Sequence, residues 1–247
     1  MKNLYTERMT IDDTIIDYEM KVPVMEIMRL LEIASFNHAD KIGLDHDTMQ
    51  EKSNAFWIVS KIKLQIRGDI LSQDKISINT WTHTPSLIRC DRDCEIKRKS
   101  KVLVRSTSEW CCLDFDTRRV RKMSTITYPD LEMVRTDGVE LSYSNMRCEV
   151  DASDLVYTRE IRATDIDVNN HTNNLKYNYI AMDSFSMEEL RAIKITEYEV
   201  HFVNESHFGD HIDVYKKRAD KDHYYIEGRI ADKTVFRVII KYKKKKN

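Results

Sequence analysis

Residues that interrupt regular structure are scarce: five glycines and three prolines in 247 positions. That scarcity excludes collagen-like and low-complexity chains. No stretch approaches 18 consecutive apolar residues, so no membrane-spanning helix is expected. Neither sign of charge prevails, with 40 Lys and Arg against 41 Asp and Glu. A nucleic-acid binder would carry a basic excess, so that class is set aside. The opening residues Met1 to Arg8 lack the apolar core of a secretory signal, and a cytoplasmic location is expected. The five cysteines are an odd number, and adjacent Cys111 and Cys112 point to opposite faces of an expected strand. They are read as reduced thiols. Cys90 and Cys94 have no second pair to complete a zinc site, so neither metal nor cofactor is expected.

What is present repeats. Apolar residues from Met25 to Ala34, continued by Ala39, recur at helical spacing, and Gly43 supplies a stop. Strand-like segments follow at 55–67, 75–82, 90–97 and 102–114. Ile62, Leu64 and Ile66 alternate with Lys61, Lys63 and Gln65, the pattern of a sheet with one wet face. Adding 136 to those apolar positions gives Tyr198, Val200 and Phe202, again on one face. The same shift carries Asp74-Lys75-Ile76-Ser77-Ile78 onto Asp210-His211-Ile212-Asp213-Val214. Tyr157-Thr158-Arg159 echoes Tyr5-Thr6-Glu7-Arg8, and a second helix is expected over about Asn173 to Arg191. Between the helices the shift is nearer 148, which places extra residues of the first copy around 44–54. The expectation is an internally duplicated α+β protein. One unit spans 1–135 and shapes the substrate cavity, a linker covers 136–149, and a catalytic unit spans 150–247.

Asp, Asn and His crowd into Asp165-Ile166-Asp167-Val168-Asn169-Asn170-His171-Thr172-Asn173-Asn174, just before the second helix. Thr172 or Asn173 could serve merely as its N-cap. One cap suffices, however, and six residues from 167 to 174 are of this kind. A helix entrance also offers N–H groups and partial positive charge to a developing oxyanion. On the 148 shift, Asp167, Asn169 and His171 fall opposite Glu19, Lys21 and Pro23, so the set is expected in one copy only.

This segment resembles the Asp-x-Asn-x-His-x-Asn-Asn signature of the acyl-acyl-carrier-protein (acyl-ACP) thioesterases. Ile180-Ala181-Met182-Asp183-Ser184 is similar to the family's continuation of that helix. Trp57-Ile58-Val59-Ser60-Lys61, Thr80-Trp81, Glu109-Trp110 and Asp114-Phe115-Asp116-Thr117-Arg118-Arg119 follow in the family's order. The resemblance covers nearly the whole chain. It implies a tandem, or double, hot-dog fold, each copy a long helix wrapped by an antiparallel sheet. It also implies hydrolysis of fatty-acyl-ACP to free acid and holo-ACP, with acyl carrier protein as partner and no nucleic acid or membrane. Asp167, Asn169 and His171 match the family's catalytic Asp, Asn and His, and Glu205 matches its Glu. Ser206 stands where plant members have Cys, which favours attack by water over a thiol nucleophile. Glu205 or His171 would then be the general base, Asn169 and helix N–H groups would hold the carbonyl oxygen, and Asp167 would orient His171. Strict alternation from Phe202 puts Ser206 on the apolar face and Glu205 opposite, so Glu205 reaches the site only if the strand bulges or ends near Asn204.

Asn173, Ser206 and Trp57 are further candidates for substrate contact. Met25, Met28, Phe36 and Met49 are candidates for an acyl tunnel, with ordinary packing the alternative. Arg118, Arg119, Arg121 and Lys122 form a basic cluster suited to an acidic carrier protein. Lys243 to Lys246 suggest a frayed tail. Asp45-His46-Asp47 is read as loop charge, and His83 and His223 have no evident partners. An acyl-CoA thioesterase of the same fold and a non-catalytic acyl-thioester binder are the alternatives. Pairing into a homodimer is left open.

Overall fold

A computed structural model describes residues 1–145 and 147–245. The chain divides into two compact units, Met1–Leu141 and Ser142–Asn247. In the first unit, β1 (Leu4–Thr10) is followed by helix α1 (Val24–Lys41), a short helix α2 (His46–Ser53), and strands β2 (Ala55–Ile66), β3 (Lys75–Thr82), β4 (Arg89–Arg98) and β5 (Lys101–Asp114). All neighbouring strands are antiparallel, in the order β1-β3-β4-β5-β2. Helix α1 buries Ile27, Met28, Leu30, Leu31 and Ala34, and packs on β1 and β3. It ends where Ile42 caps it and Gly43 adopts φ +70°, a conformation that costs glycine little.

The second unit contains β6 (Leu155–Glu160), α3 (Asn174–Met182), α4 (Met187–Ala192), β7 (Ile193–Phe202), β8 (His211–Arg218), β9 (His223–Ile230) and β10 (Lys233–Lys244). Its order β6-β8-β9-β10-β7 repeats that of the first unit, strand for strand. In each unit a threonine of the first strand also bonds across the ladder, at register positions two residues apart. Thr6 Oγ1 meets Asn79 Oδ1 at 2.8 Å across β1 and β3, and Thr158 Oγ1 meets Asp213 Oδ1 at 2.6 Å across β6 and β8.

Three expectations need correction. The second helix is two helices, because Ser186 and Glu189 form a capping box that starts α4 afresh after the break at Asp183–Phe185. The Ser-x-x-Glu signal was present in the sequence. Residues 46–53 form a helix rather than a loop, and Asp45 is its N-cap, accepting the Thr48 N–H at 3.0 Å. Lys243 and Lys244 are not frayed: they pair with Lys194 and Ile193 in the sheet. Lys246 lies outside the described residues.

The end of the first expected unit and the start of the expected linker are both bound to the first unit. Buried Asn3 accepts the Val134 N–H at 2.9 Å and donates to the Arg135 carbonyl at 2.7 Å. The Arg135 guanidinium lies 3.8 Å over the Trp81 ring and pairs with Glu95 at 2.9 Å. Val139 is buried, with its N–H on the Asp93 carboxylate at 2.9 Å.

In the second unit, Tyr198 on β7 donates its hydroxyl to Asn178 on α3 at 2.9 Å, both fully buried. Phe236 on β10 lies opposite Gly228 on β9, and the Tyr177 ring of α3 rests against it with centroids 5.4 Å apart. A Cβ at Gly228 would meet the Phe236 ring at 2.2 Å. Gly228→Ala should therefore push Phe236 against Tyr177 and lower stability by about 1–3 kcal/mol. A thermal melt checks this, and an unchanged midpoint would show that the ring moves aside freely.

Candidate active site

The polar segment folds into a tight turn closed by an antiparallel bridge between Ile166 and Thr172. Asp167 organises it. Its Oδ1 accepts the Asn169 N–H at 2.8 Å and the His171 N–H at 3.4 Å, while its own N–H donates to the His171 carbonyl at 2.9 Å. Asn170 donates to the Asp167 carbonyl at 3.1 Å with φ +63°, a left-handed conformation that asparagine tolerates. Behind the turn, buried Asp165 takes two hydrogen bonds from Arg159, at 2.9 and 3.0 Å, and its carbonyl accepts the Asn173 N–H at 2.8 Å. The arginine offsets the cost of a desolvated carboxylate.

A second segment is locked to this turn through Ser206. Thr172 donates its N–H to the Ser206 carbonyl at 2.9 Å, and its hydroxyl lies 2.7 Å from Ser206 Oγ. The Tyr177 hydroxyl is 2.8 Å from the same Oγ and accepts the Ser206 N–H at 3.1 Å. Burial raises the Tyr177 phenol above its ordinary value, which keeps it neutral. Strand β7 ends at Phe202, and both Val203 and Asn204 turn their N–H groups onto the Val235 carbonyl. The alternation that would have turned Glu205 away thus stops in time. Glu205 Oε2 comes within 3.1 Å of His171 Nε2. The imidazole is largely covered, and the carboxylate is half exposed.

Of the remaining candidates, Asn169 is exposed at the turn's tip. Asn173 is the N-cap of α3, its Oδ1 accepting the Leu175 N–H at 2.8 Å, so its side chain is committed to the helix. Ser206 is corrected from a substrate contact to a buried pin, because its hydroxyl is enclosed by Thr172 and Tyr177. Trp57 donates its indole N–H to the Leu44 carbonyl at 3.1 Å and packs on the cluster of Ile42, Leu44 and Met49, a core duty. Met49 and Met28 are buried, whereas Phe36 is 56% exposed and does not line an interior tunnel. Arg118, with its guanidinium 4.8 Å over the Phe56 ring, Arg119 and Lys122 are exposed. Arg121 instead ties Thr125 and the Ser53 carbonyl together.

His83 and His223 do have partners: Asp93 at 2.8 Å for the first, Asp220 and Asp222 at 3.0 Å for the second. Burial raises all five thiols, Cys112 to about 12, so none is poised as a thiolate. Sequence reasoning missed His207, whose ring centroid lies 5.0 Å from that of His171. No motif marked it.

The first unit contains the same turn. Asp17 Oδ1 accepts the Glu19 N–H at 2.8 Å and the Lys21 N–H at 3.1 Å, and the Asp17 N–H donates to the Lys21 carbonyl at 2.7 Å. Met20 has φ +60°, and its N–H meets the Asp17 carbonyl at 3.0 Å. Val22 donates to Ile70 as Thr172 does to Ser206. Lys21 Nζ lies 3.6 Å from Asp69, where His171 faces Glu205. The correct shift here is 150 residues, not 148, and it removes the expected one-sidedness for Asp167 alone, leaving Asn169 and His171 in one copy only. Asp167 has a counterpart in Asp17. Among the candidate catalytic residues the two turns differ at Asn169 against Glu19, at His171 against Lys21, and at Glu205 against Asp69.

Residues 2–128 match the acyl-ACP thioesterase N-terminal domain, and residues 149–244 match its C-terminal domain. An oleoyl-acyl carrier protein thioesterase of Coriandrum sativum is 25% identical over 77% of this chain and 56% of its own length. Its counterpart 1 of Arabidopsis thaliana is 24% identical over 74% and 55%. The chain thus spans about half the length of these curated relatives. Among solved structures, an acyl-ACP thioesterase from Bacteroides thetaiotaomicron superposes with TM-score 0.88 at 19% identity, covering 98% of both chains. The 12:0-ACP thioesterase from Umbellularia californica gives 0.86 at 15% identity, with 99% of both covered. The hot-dog architecture is shared with these structures, and the chain belongs to the acyl-ACP thioesterase family.

Proposed function

We propose that the second unit hydrolyses a fatty-acyl thioester carried on acyl carrier protein, giving free fatty acid and holo-ACP in cytoplasmic fatty acid synthesis. The observation that carries this reading is the His171–Glu205 pair, 3.1 Å apart on a frame that the first unit builds without a histidine. With Nε2–H donated to the carboxylate, Nδ1 keeps the lone pair and is the general base. An imidazole suits this role near neutrality better than an exposed carboxylate, which is a weak base there. His171 takes a proton from water as the oxygen adds to the thioester carbon, and Asn169 and the N–H at the start of α3 stabilise the oxyanion. The C–S bond then breaks, and the proton passes to the departing sulfur. Asp167 acts through the backbone, holding the turn that presents His171.

His171→Ala should lower kcat on acyl-ACP by about 10³-fold or more, and Glu205→Gln by about 10²-fold, with thermal midpoints near that of the parent. A steady-state assay of thiol release measures both. Retention of full activity by His171→Ala would remove the proposed base. Rapid turnover of acyl-CoA with indifference to acyl-ACP would replace the carrier.

Ser206→Ala separates chemistry from scaffold. It leaves two buried hydroxyls short of a partner and should cost about 1–3 kcal/mol of stability. Turnover at a temperature where the variant is folded should stay within about threefold of the parent. Accumulation of an acyl-enzyme that the variant cannot form would instead make Ser206 the nucleophile.

For carrier docking, Arg119 and Lys122 are the side chains to change, because Arg121 braces the fold. Arg119→Glu with Lys122→Glu should raise KM for acyl-ACP about tenfold, through charge complementarity with an acidic partner, and leave acyl-CoA kinetics unaltered. Equal effects on both substrates would place docking elsewhere.

A further inference from the structure

His207 follows Glu205 and Ser206 in a loop that the first unit also builds. Its N–H donates to the Asp210 carboxylate at 2.7 Å, and the Asp210 N–H returns to the His207 carbonyl at 3.1 Å. In the first unit Leu71 donates to Asp74 at 2.9 Å and accepts from the Asp74 N–H at 3.2 Å. Gly209 donates to Ile161 at 2.9 Å as Gln73 does to Ile11 at 3.0 Å. A leucine therefore makes the same turn. The imidazole of His207 is not required for the loop's shape, and its contacts need another explanation.

Those contacts are with the proposed base and its turn. The ring lies 5.0 Å from the His171 ring, tilted by 59°, and Nδ1 is 3.4 Å from the Asn170 carbonyl. Glu205 lies 3.1 Å from His171 Nε2, and Asp167 holds the turn through the His171 backbone N–H. The Asp210 carboxylate accepts the His207 main-chain N–H, and the Asp210 carbonyl accepts the Ile161 N–H. Two imidazoles at this distance cannot both become cations without repulsion.

We propose that His207 is a positioning residue for His171: its ring restricts the swing of the base, and its charge sets the pH below which the base is lost. The inference rests on His171 being the base in the proposed hydrolysis. A positive neighbour disfavours protonation of His171 and moves the acid limb of activity to lower pH. A negative neighbour moves it to higher pH.

The test is the pH profile of kcat/KM on one acyl-ACP for the parent and for His207→Lys, His207→Leu and His207→Glu, each with a thermal melt. The midpoint of the acid limb should rise in the order Lys, His, Leu, Glu. The spread should be about one pH unit, read as about a tenfold difference between the Lys and Glu variants on the acid limb. His207→Leu should also lower kcat about threefold on the plateau with KM unchanged, through the freer base. A midpoint that ignores the charge at 207 in folded variants overturns the inference and leaves the hydrolytic reading standing. Should a variant melt early, the remaining pair decides the order. A parent enzyme with no acid limb overturns the base assignment and this inference together.

Discussion

A hydroxyl sealed from water must find its partners within the protein, and the Ser206 hydroxyl has two, Thr172 and Tyr177. Each belongs to a different piece of the site. Thr172 ends the turn that presents His171, Tyr177 belongs to helix α3, and Ser206 is joined covalently to Glu205. Satisfying that one polar group therefore fixes the distance between the imidazole and the carboxylate. Tyr177 in turn leans on Phe236, which has room only because residue 228 is glycine. The proposed chemistry depends on packing several residues away, in a chain of contacts that ends at a missing side chain.

Duplication supplies an internal comparison that a single domain could not. Where both units use the same residue in the same hydrogen bonds, as with Asp17 and Asp167, the residue serves the backbone. Where the backbone is the same and the residue differs, the side chain is free of that duty. His171, Asn169, Glu205 and His207 all belong to the second class. On this ground the proposed mechanism gives Asp167 a backbone role, unlike the carboxylate of a hydrolytic triad, which contacts the imidazole itself.

Much of this was legible in the residues. Alternation in 62–66 and 198–202 located two matching strands, and β3 begins and ends where the pattern says. The crowded polar turn announced itself by composition. What was hidden had physical causes. The break between α3 and α4 is set by a local capping box that competes with a continuous apolar stripe. The 150-residue shift was obscured because the turn is defined by backbone bonds to one aspartate, with unrelated residues between. Glu205 could not be placed by period, since its reach depends on where β7 leaves the ladder. His207 carries no signal at all, because its neighbour in space lies 36 positions away in sequence.

The pair of turns also shows how small the step is between a structural ion pair and the pair proposed to react. Lys21 and Asp69 combine a long cation with a short carboxylate, whereas His171 and Glu205 combine a short base with a long one, and both pairs meet within 4 Å. Total reach is conserved, so the turns need not move. An ammonium donates only and has no lone pair to offer water. A neutral imidazole on the same frame donates from one ring nitrogen and accepts at the other. The exposures follow the same logic. Lys21 and Asp69 are about equally open, at 30% and 33%, while His171 is at 19% and Glu205 at 49%. A covered base that still has a solvated partner can gain a proton without leaving a buried charge unpaired, which is what repeated turnover demands.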